Sequence, residues 1–193
     1  MKKLLLPVFL ILLFTWSCSK KENAKVLIQT DQGNIEVEVF EKQAPVTAKN
    51  FLKHVDKGHY NNTIFYRTVR YDNQPKDSIK IQVIQGGVFD ENIIDKFKSI
   101  PHETTKKTGI KHKNGVVSMA RVSPGTASTE FFICIGDQPQ LDYGGKRNPD
   151  GKGFAAFAKV IKGMDVVKKI QQLQDSCQFL KKPVTIRTIT REK

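Results

Sequence analysis

Four histidines and three cysteines are the residues of this 193-residue chain best able to bind a metal or attack an electrophile. His54, His59, His102 and His112 share no metal-ligand spacing, and Cys134 and Cys177 make no CxxC pair. The sequence therefore predicts no metal site and no cofactor. An oxidising compartment permits a Cys134–Cys177 disulfide, but a buried free thiol is the expectation for Cys134 in mid-strand. There is no G-x-S-x-G elbow, and no serine, histidine and acid are spaced as a recognisable triad. Gly151-Lys152 is followed by Gly153 instead of Ser or Thr, which removes the phosphate-loop reading. What remains is a series of polar residues at the ends of apolar runs. Phe65-Tyr66-Arg67 comes first, then Gln85-Gly86-Gly87-Val88-Phe89 and Ser118-Met119-Ala120-Arg121. Ser128-Thr129-Glu130-Phe131-Phe132-Ile133, Leu141-Asp142, Phe157-Ala158-Lys159-Val160 and Gly163-Met164-Asp165 follow.

The elements that must position these residues are short. Ile35, Val37 and Val39 alternate with Glu36 and Glu38, the period of a half-buried strand, and pair as a hairpin with Val26 to Thr30 across Asp31-Gln32-Gly33-Asn34. Pro45 suits a first helical turn, Ala48, Phe51, Leu52 and Val55 share one helical face, and Gly58 supplies the stop. Further strands are expected at 64–69, 79–85, 116–120, 131–135, 154–160 and 184–188, and a second helix over 164–173. Residues 90–115 lack periodicity and read as a long surface loop. Eight strands with two separated helices and no βαβ rhythm predict a mainly β fold. The expected architecture is a closed eight-stranded antiparallel β-barrel capped by two α-helices. Phe131, Ile133 and Ile135 share one parity and Phe132 the other, so they lie on opposite faces of their strand.

Composition bounds the partners. A hydrophobic share of 39% can supply a core, which excludes bulk disorder. The charge of +13 is spread along loops and helix faces without interleaved exposed aromatics, so no nucleic-acid partner is expected. At the N-terminus Lys2 and Lys3 precede an apolar run from Leu4 to Trp16, too short for a spanning helix of roughly 20 residues but suited to a signal peptide over residues 1–17. The end of that run, Thr15-Trp16-Ser17-Cys18, resembles a bacterial lipobox. It implies lipid on Cys18, a tether over 18–24, and one domain over 25–193 in a cell envelope, facing an extracytoplasmic space.

Taken in order, the strand-end motifs resemble the cyclophilins, a family of peptidyl-prolyl cis-trans isomerases, over residues 25 to about 190. The resemblance implies a non-covalent rotamase acting on proline-containing polypeptides, expected here as a monomer. It implies Arg67 as the catalytic donor to the prolyl nitrogen and Phe132 as the floor of the proline socket. Val83, Leu141 and Phe154 line the rest, Gln85 lies near the arginine, Tyr66 replaces a frequent histidine, and the Ala120-Arg121 backbone is the substrate-pairing edge. Gln82 stands where a pocket Phe is common, and Gln140 where a large residue is. Residues 71–78 lengthen the segment between Arg67 and Gln85. Glu130 replaces a glutamine whose amide donates to substrate; an ionised carboxylate only accepts, and is expected either to hold Arg67 or Arg121 or to weaken binding of peptide carbonyls. Gln82, Glu130 and the insertion motivate one alternative, a weakly active or inactive chaperone or assembly module of the same fold that binds proline segments.

Overall fold

The computed structural model describes residues 22–89, 93 and 96–192. Residues 1–17 and Cys18 lie outside them. Strands β1 (Ala24–Thr30) and β2 (Gly33–Val39) form the expected hairpin, with Val26, Ile28, Ile35, Val37 and Val39 fully buried on one face. Helix α1 (Pro45–Asp56) buries Ala48, Phe51, Leu52 and Val55 and stops at Gly58, whose φ of 66° a side chain would strain. The N-terminal turn of α1 has no local side-chain cap. Instead a Glu103 carboxylate oxygen accepts from the Thr47 backbone N–H at 2.7 Å and its hydroxyl at 2.8 Å.

The chain continues through β3 (Thr63–Val69), β4 (Val83–Gly87), a short helix α2 (Thr105–Thr108), β5 (Val116–Met119) and β6 (Phe131–Cys134). After β7 (Ala155–Lys162) come helix α3 (Met164–Gln171), a two-residue β8 (Asp175–Ser176) and the long β9 (Phe179–Arg191). Every pairing is antiparallel, in the order β1-β2-β7-β5-β6-β4-β3-β9, and β9 pairs again with β1. The eight-stranded sheet is closed, as expected, with β8 an appendage on β9.

Three local expectations are corrected. A third helix, α2, interrupts the segment read as a surface loop, and Glu103, Thr105 and His112 within that segment are buried. The reason is polar: each has a partner far along the chain, at Thr47, Tyr143 and Asp142, which periodicity does not reveal. Residues 79–82 are not strand, because the Gln74 side chain takes the Ile81 backbone for itself, accepting from its N–H at 3.2 Å and donating to its carbonyl at 2.8 Å. The last strand starts at Phe179, ahead of the expected 184, since β8 folds back upon it.

Buried apolar residues separate into two clusters. The larger fills the barrel and takes Phe51 and Leu52 from α1 and Val167 and Ile170 from α3. In it Phe51 packs against Tyr60, Phe131 and Phe157 with centroids 5.0–5.7 Å apart. The smaller gathers Val69, Ile81, Val83, Phe132, Cys134 and Leu141, with Ala120 and Phe154 against it. Phe131, Ile133 and Ile135 belong to the first cluster and Phe132 to the second, as period two requires.

Candidate active site

Strand register builds the site. Phe179 on β9 pairs with Arg67 on β3, Arg67 with Gln85 on β4, Gln85 with Phe132 on β6, and Phe132 with Ser118 on β5. Residues directly opposite in antiparallel strands share a face, so these five side chains form one row across the outer wall. A bulge between Phe65 and Arg67 gives Tyr66 and Arg67 a single partner residue and lets both leave the barrel interior, where Phe65 remains.

A groove of about 310 Å³ opens over the middle of that row. Its lining includes Arg67, Val83, Gln85, Ala120, Arg121, Glu130, Phe132, Leu141 and Phe154, all expected from the sequence. Phe132 lies edge-on to Phe154, with centroids 5.1 Å apart at 88°. Gly153 lets the chain approach the Leu141 side of the wall: at φ 63° a Cβ there would sit 2.4 Å from the Leu141 carbonyl oxygen.

Arg67 enters the groove without a carboxylate partner. Its Nη1 donates to Gln85 Oε1 at 2.9 Å, and its Nε and Nη2 donate to Gln178 Oε1 at 3.1 and 2.5 Å. Among the described residues no acid forms an ion pair with it. Burial lowers its pKa from the usual guanidinium value, yet arginine keeps its proton at any working pH. The charge is therefore fixed in place by neutral oxygens, with no direct ion pair among the described residues.

Gln178 was not legible from the sequence. It sits at φ 74°, after Cys177 at φ 50°, in the turn from β8 to β9, and its N–H donates to Asp175 Oδ2 at 3.0 Å. Its Nε2 donates to the Asn73 carbonyl at 3.3 Å, which points Oε1 toward Arg67. Asn73 in turn donates to Asp175 at 3.1 Å, and Arg70 pairs with the same carboxylate. The added segment 71–78 is thus the brace behind the arginine.

Glu130 departs from expectation. Glu130 holds neither arginine; it accepts from the Tyr66 hydroxyl at 3.0 Å and from Gln85 Nε2 at 3.3 Å. Burial raises its pKa above the ordinary carboxylate value, against those two donors and the Arg67 charge. Tyr66, raised by burial and by Glu130, stays a protonated donor, and its oxygen accepts from Gln85 Nε2 at 2.5 Å. Arg121 turns its guanidinium to Asp150, at 2.8 and 2.9 Å, and to the Gly153 carbonyl, lying 5.1 Å over the Phe154 ring. Asp150, the Gly153 carbonyl and the Phe154 ring thus hold the guanidinium against the groove wall.

Two further readings change. Gln82 turns from the groove toward the Gln171 amide at 3.4 Å, and Ile81 lines the socket in its place. A serine, a histidine and an acid do meet: His112 contacts Asp142 Oδ1 through Nδ1 at 2.8 Å and Ser118 Oγ through Nε2 at 3.1 Å. Ser118 is wholly buried and the His112 ring lies parallel to Phe132, so the trio supports the groove floor and meets no substrate. Cys134 is buried and Cys177 exposed, and both are free thiols.

Comparison with known proteins places this geometry. Residues 25–191 match the family model described as cyclophilin type peptidyl-prolyl cis-trans isomerase. A peptidyl-prolyl cis-trans isomerase of Acinetobacter baylyi is 37% identical over 155 residues, covering 80% of this chain and 75% of its own. Peptidyl-prolyl cis-trans isomerase B of Escherichia coli is 36% identical over 147 residues, 76% of this chain and 83% of its own. A crystal structure of a Cryptosporidium parvum isomerase of this type aligns with a TM-score of 0.69 and 25% identity, over 89% of this chain and 98% of its own. A second crystal structure of that protein, in the presence of the dipeptide Ala-Pro, aligns with a TM-score of 0.68 and 25% identity over 88% of this chain and 99% of its own.

Proposed function

This chain belongs to the cyclophilin-type peptidyl-prolyl cis-trans isomerases, and from that premise we propose that Arg67 drives the rotation by donating to the prolyl nitrogen. The obstacle is amide resonance, a barrier of about 18–20 kcal/mol, and no covalent bond need change. As the bond twists, the nitrogen lone pair leaves conjugation and becomes an acceptor. A charged donor aimed at it stabilises the twisted state over either planar one. Phe132, Leu141, Phe154 and Ile81 hold the ring, and the Ala120-Arg121 backbone edge takes the adjoining chain.

The observation that carries this reading is the Arg67 guanidinium, positioned by the neutral oxygens of Gln85 and Gln178 with no ion pair among the described residues. A donor already neutralised by an ion pair would gain little at the transition state. Arg67→Ala is expected to lower kcat/KM at least tenfold, about 1.4 kcal/mol of transition-state stabilisation, with an unchanged circular dichroism spectrum. Undiminished turnover in a folded variant would falsify the assignment.

We further propose that the enzyme works as a monomer outside the cytoplasm, on exported polypeptides, tethered by lipid on Cys18. Lys2 and Lys3, the Leu4–Trp16 run and the Ser17-Cys18 junction support this. No helix among the described residues is long and apolar enough to cross a membrane.

A further inference from the structure

Next to the groove the outer row ends in aromatic rings that the rotation does not use. Phe89 and Phe179 are each 50% exposed. Tyr66 lies between them, its ring 3.9 Å from Phe89 at 16° and 6.0 Å from Phe179 at 27°, while Phe89 and Phe179 are 6.4 Å apart. A lone exposed apolar side chain is ordinary, but three rings in contact on one face make a patch suited to a partner. This patch is continuous with the groove. Tyr66 stacks within it and extends its hydroxyl to Glu130 and Gln85, and Phe179 is the direct cross-strand neighbour of Arg67.

We propose that Phe89, Tyr66 and Phe179 form a second contact for the same client chain, receiving an aromatic or large aliphatic side chain beyond the proline socket. The proposal rests on the groove being the prolyl site. Three strand steps separate Phe179 from Phe132, roughly 14 Å at about 4.8 Å each, and an extended peptide rises about 3.3 Å per residue. The recognised side chain therefore lies about four residues from the proline. It lies on one side only, since the patch is at the Arg67 end and the Ala120-Arg121 edge at the other. The open faces of Phe89 and Phe179 suit a flat or branched apolar group, and the half exposure of each ring is what such a group covers. The isomerase thereby discriminates among Xaa-Pro sites by a residue that takes no part in the rotation.

The test compares a short Xaa-Pro tetrapeptide with longer peptides carrying Phe or Ser four residues before or after the proline, their exchange followed by NMR. With the wild-type protein, Phe is expected to improve kcat/KM over Ser by about fivefold at one of the two positions, through KM, as one added aromatic contact allows. In Phe179→Ser and Phe89→Ser that ratio falls toward one, while in Phe89→Ser tetrapeptide turnover and thermal melting stay as in wild type. A ratio near one in the wild type, or one unchanged in both variants, overturns the proposal. Failure of the wild type to turn over the tetrapeptide overturns the groove assignment, and the proposal with it.

Discussion

Gln178 Oε1 accepts two hydrogen bonds from the Arg67 guanidinium, across 111 residues of sequence. Among the described residues nothing else on that side of the arginine holds its plane, and Gln178 is itself oriented by Asn73 and Asp175. A flexible arginine would need to be ordered at each turnover, at a cost in side-chain entropy of up to ~2 kcal/mol. Here the ordering is built into the fold.

Gln178→Ala therefore removes positioning without touching substrate. We expect kcat to fall about five- to tenfold, less than the full worth of a hydrogen bond to a charged group because Gln85 still holds Nη1, with KM changed less than twofold. Stopped-flow or NMR exchange kinetics separate the two parameters. A variant with wild-type kcat would show that Gln85 alone aligns Arg67.

Glu130→Gln is expected to keep or raise activity at neutral pH, since an amide restores a donor at the same size. Stability should rise as well. The folded carboxyl is raised above its ordinary value by burial, so ionising it costs folding free energy as pH climbs through that range, and the amide removes the cost. Denaturant melts at neutral pH read the second effect. Abolished isomerisation in the variant would mean that the carboxylate itself is required.

His54 and His59 share a hydrogen bond between their Nδ1 atoms at 2.8 Å, with the Phe97 ring against both. Burial first, then His59, Lys53 and Lys57, press the His54 pKa from 6.5 to about 4. Because the folded value is depressed, the associated stability is full above pH 6.5 and drains as pH falls toward 4. The loss is about 1–2 kcal/mol once solvent screening is allowed for. Urea midpoints measured at pH 7.5 and 5 should fall in the wild type and fall roughly half as far in His54→Asn, with His59 supplying the remainder. Equal slopes in the two proteins would assign the acid sensitivity elsewhere.

Membrane attachment is expected to depend on Cys18. Each buried methylene adds ~0.8 kcal/mol, so acyl chains on this thiol resist extraction, whereas attraction by the basic surface is screened within a Debye length of about 10 Å or less. After fractionation in high salt, wild type should pellet with membranes and Cys18→Ala should not. The same distribution for both proteins would refute lipid anchoring.

Periodicity made the barrel readable. Ile35, Val37 and Val39 announced a strand because one pleated face is buried and the other is wet, and the same parity sent Phe132 outward while Phe131 and Ile133 went in. The motif order supplied Arg67, Gln85, Leu141 and Phe154 as neighbours, and the groove contains them all. Polar partnerships left no such trace. Glu103 caps a helix 56 residues earlier, Tyr66 takes Glu130 away from the arginines, and His112 joins Ser118 to Asp142 beneath the floor. A hydrogen bond depends on where two side chains end in space, and its partners can lie anywhere along the chain. Only the order of strands in the sheet, which sets β3 between β4 and β9, brings Gln85 and Gln178 to opposite sides of one guanidinium.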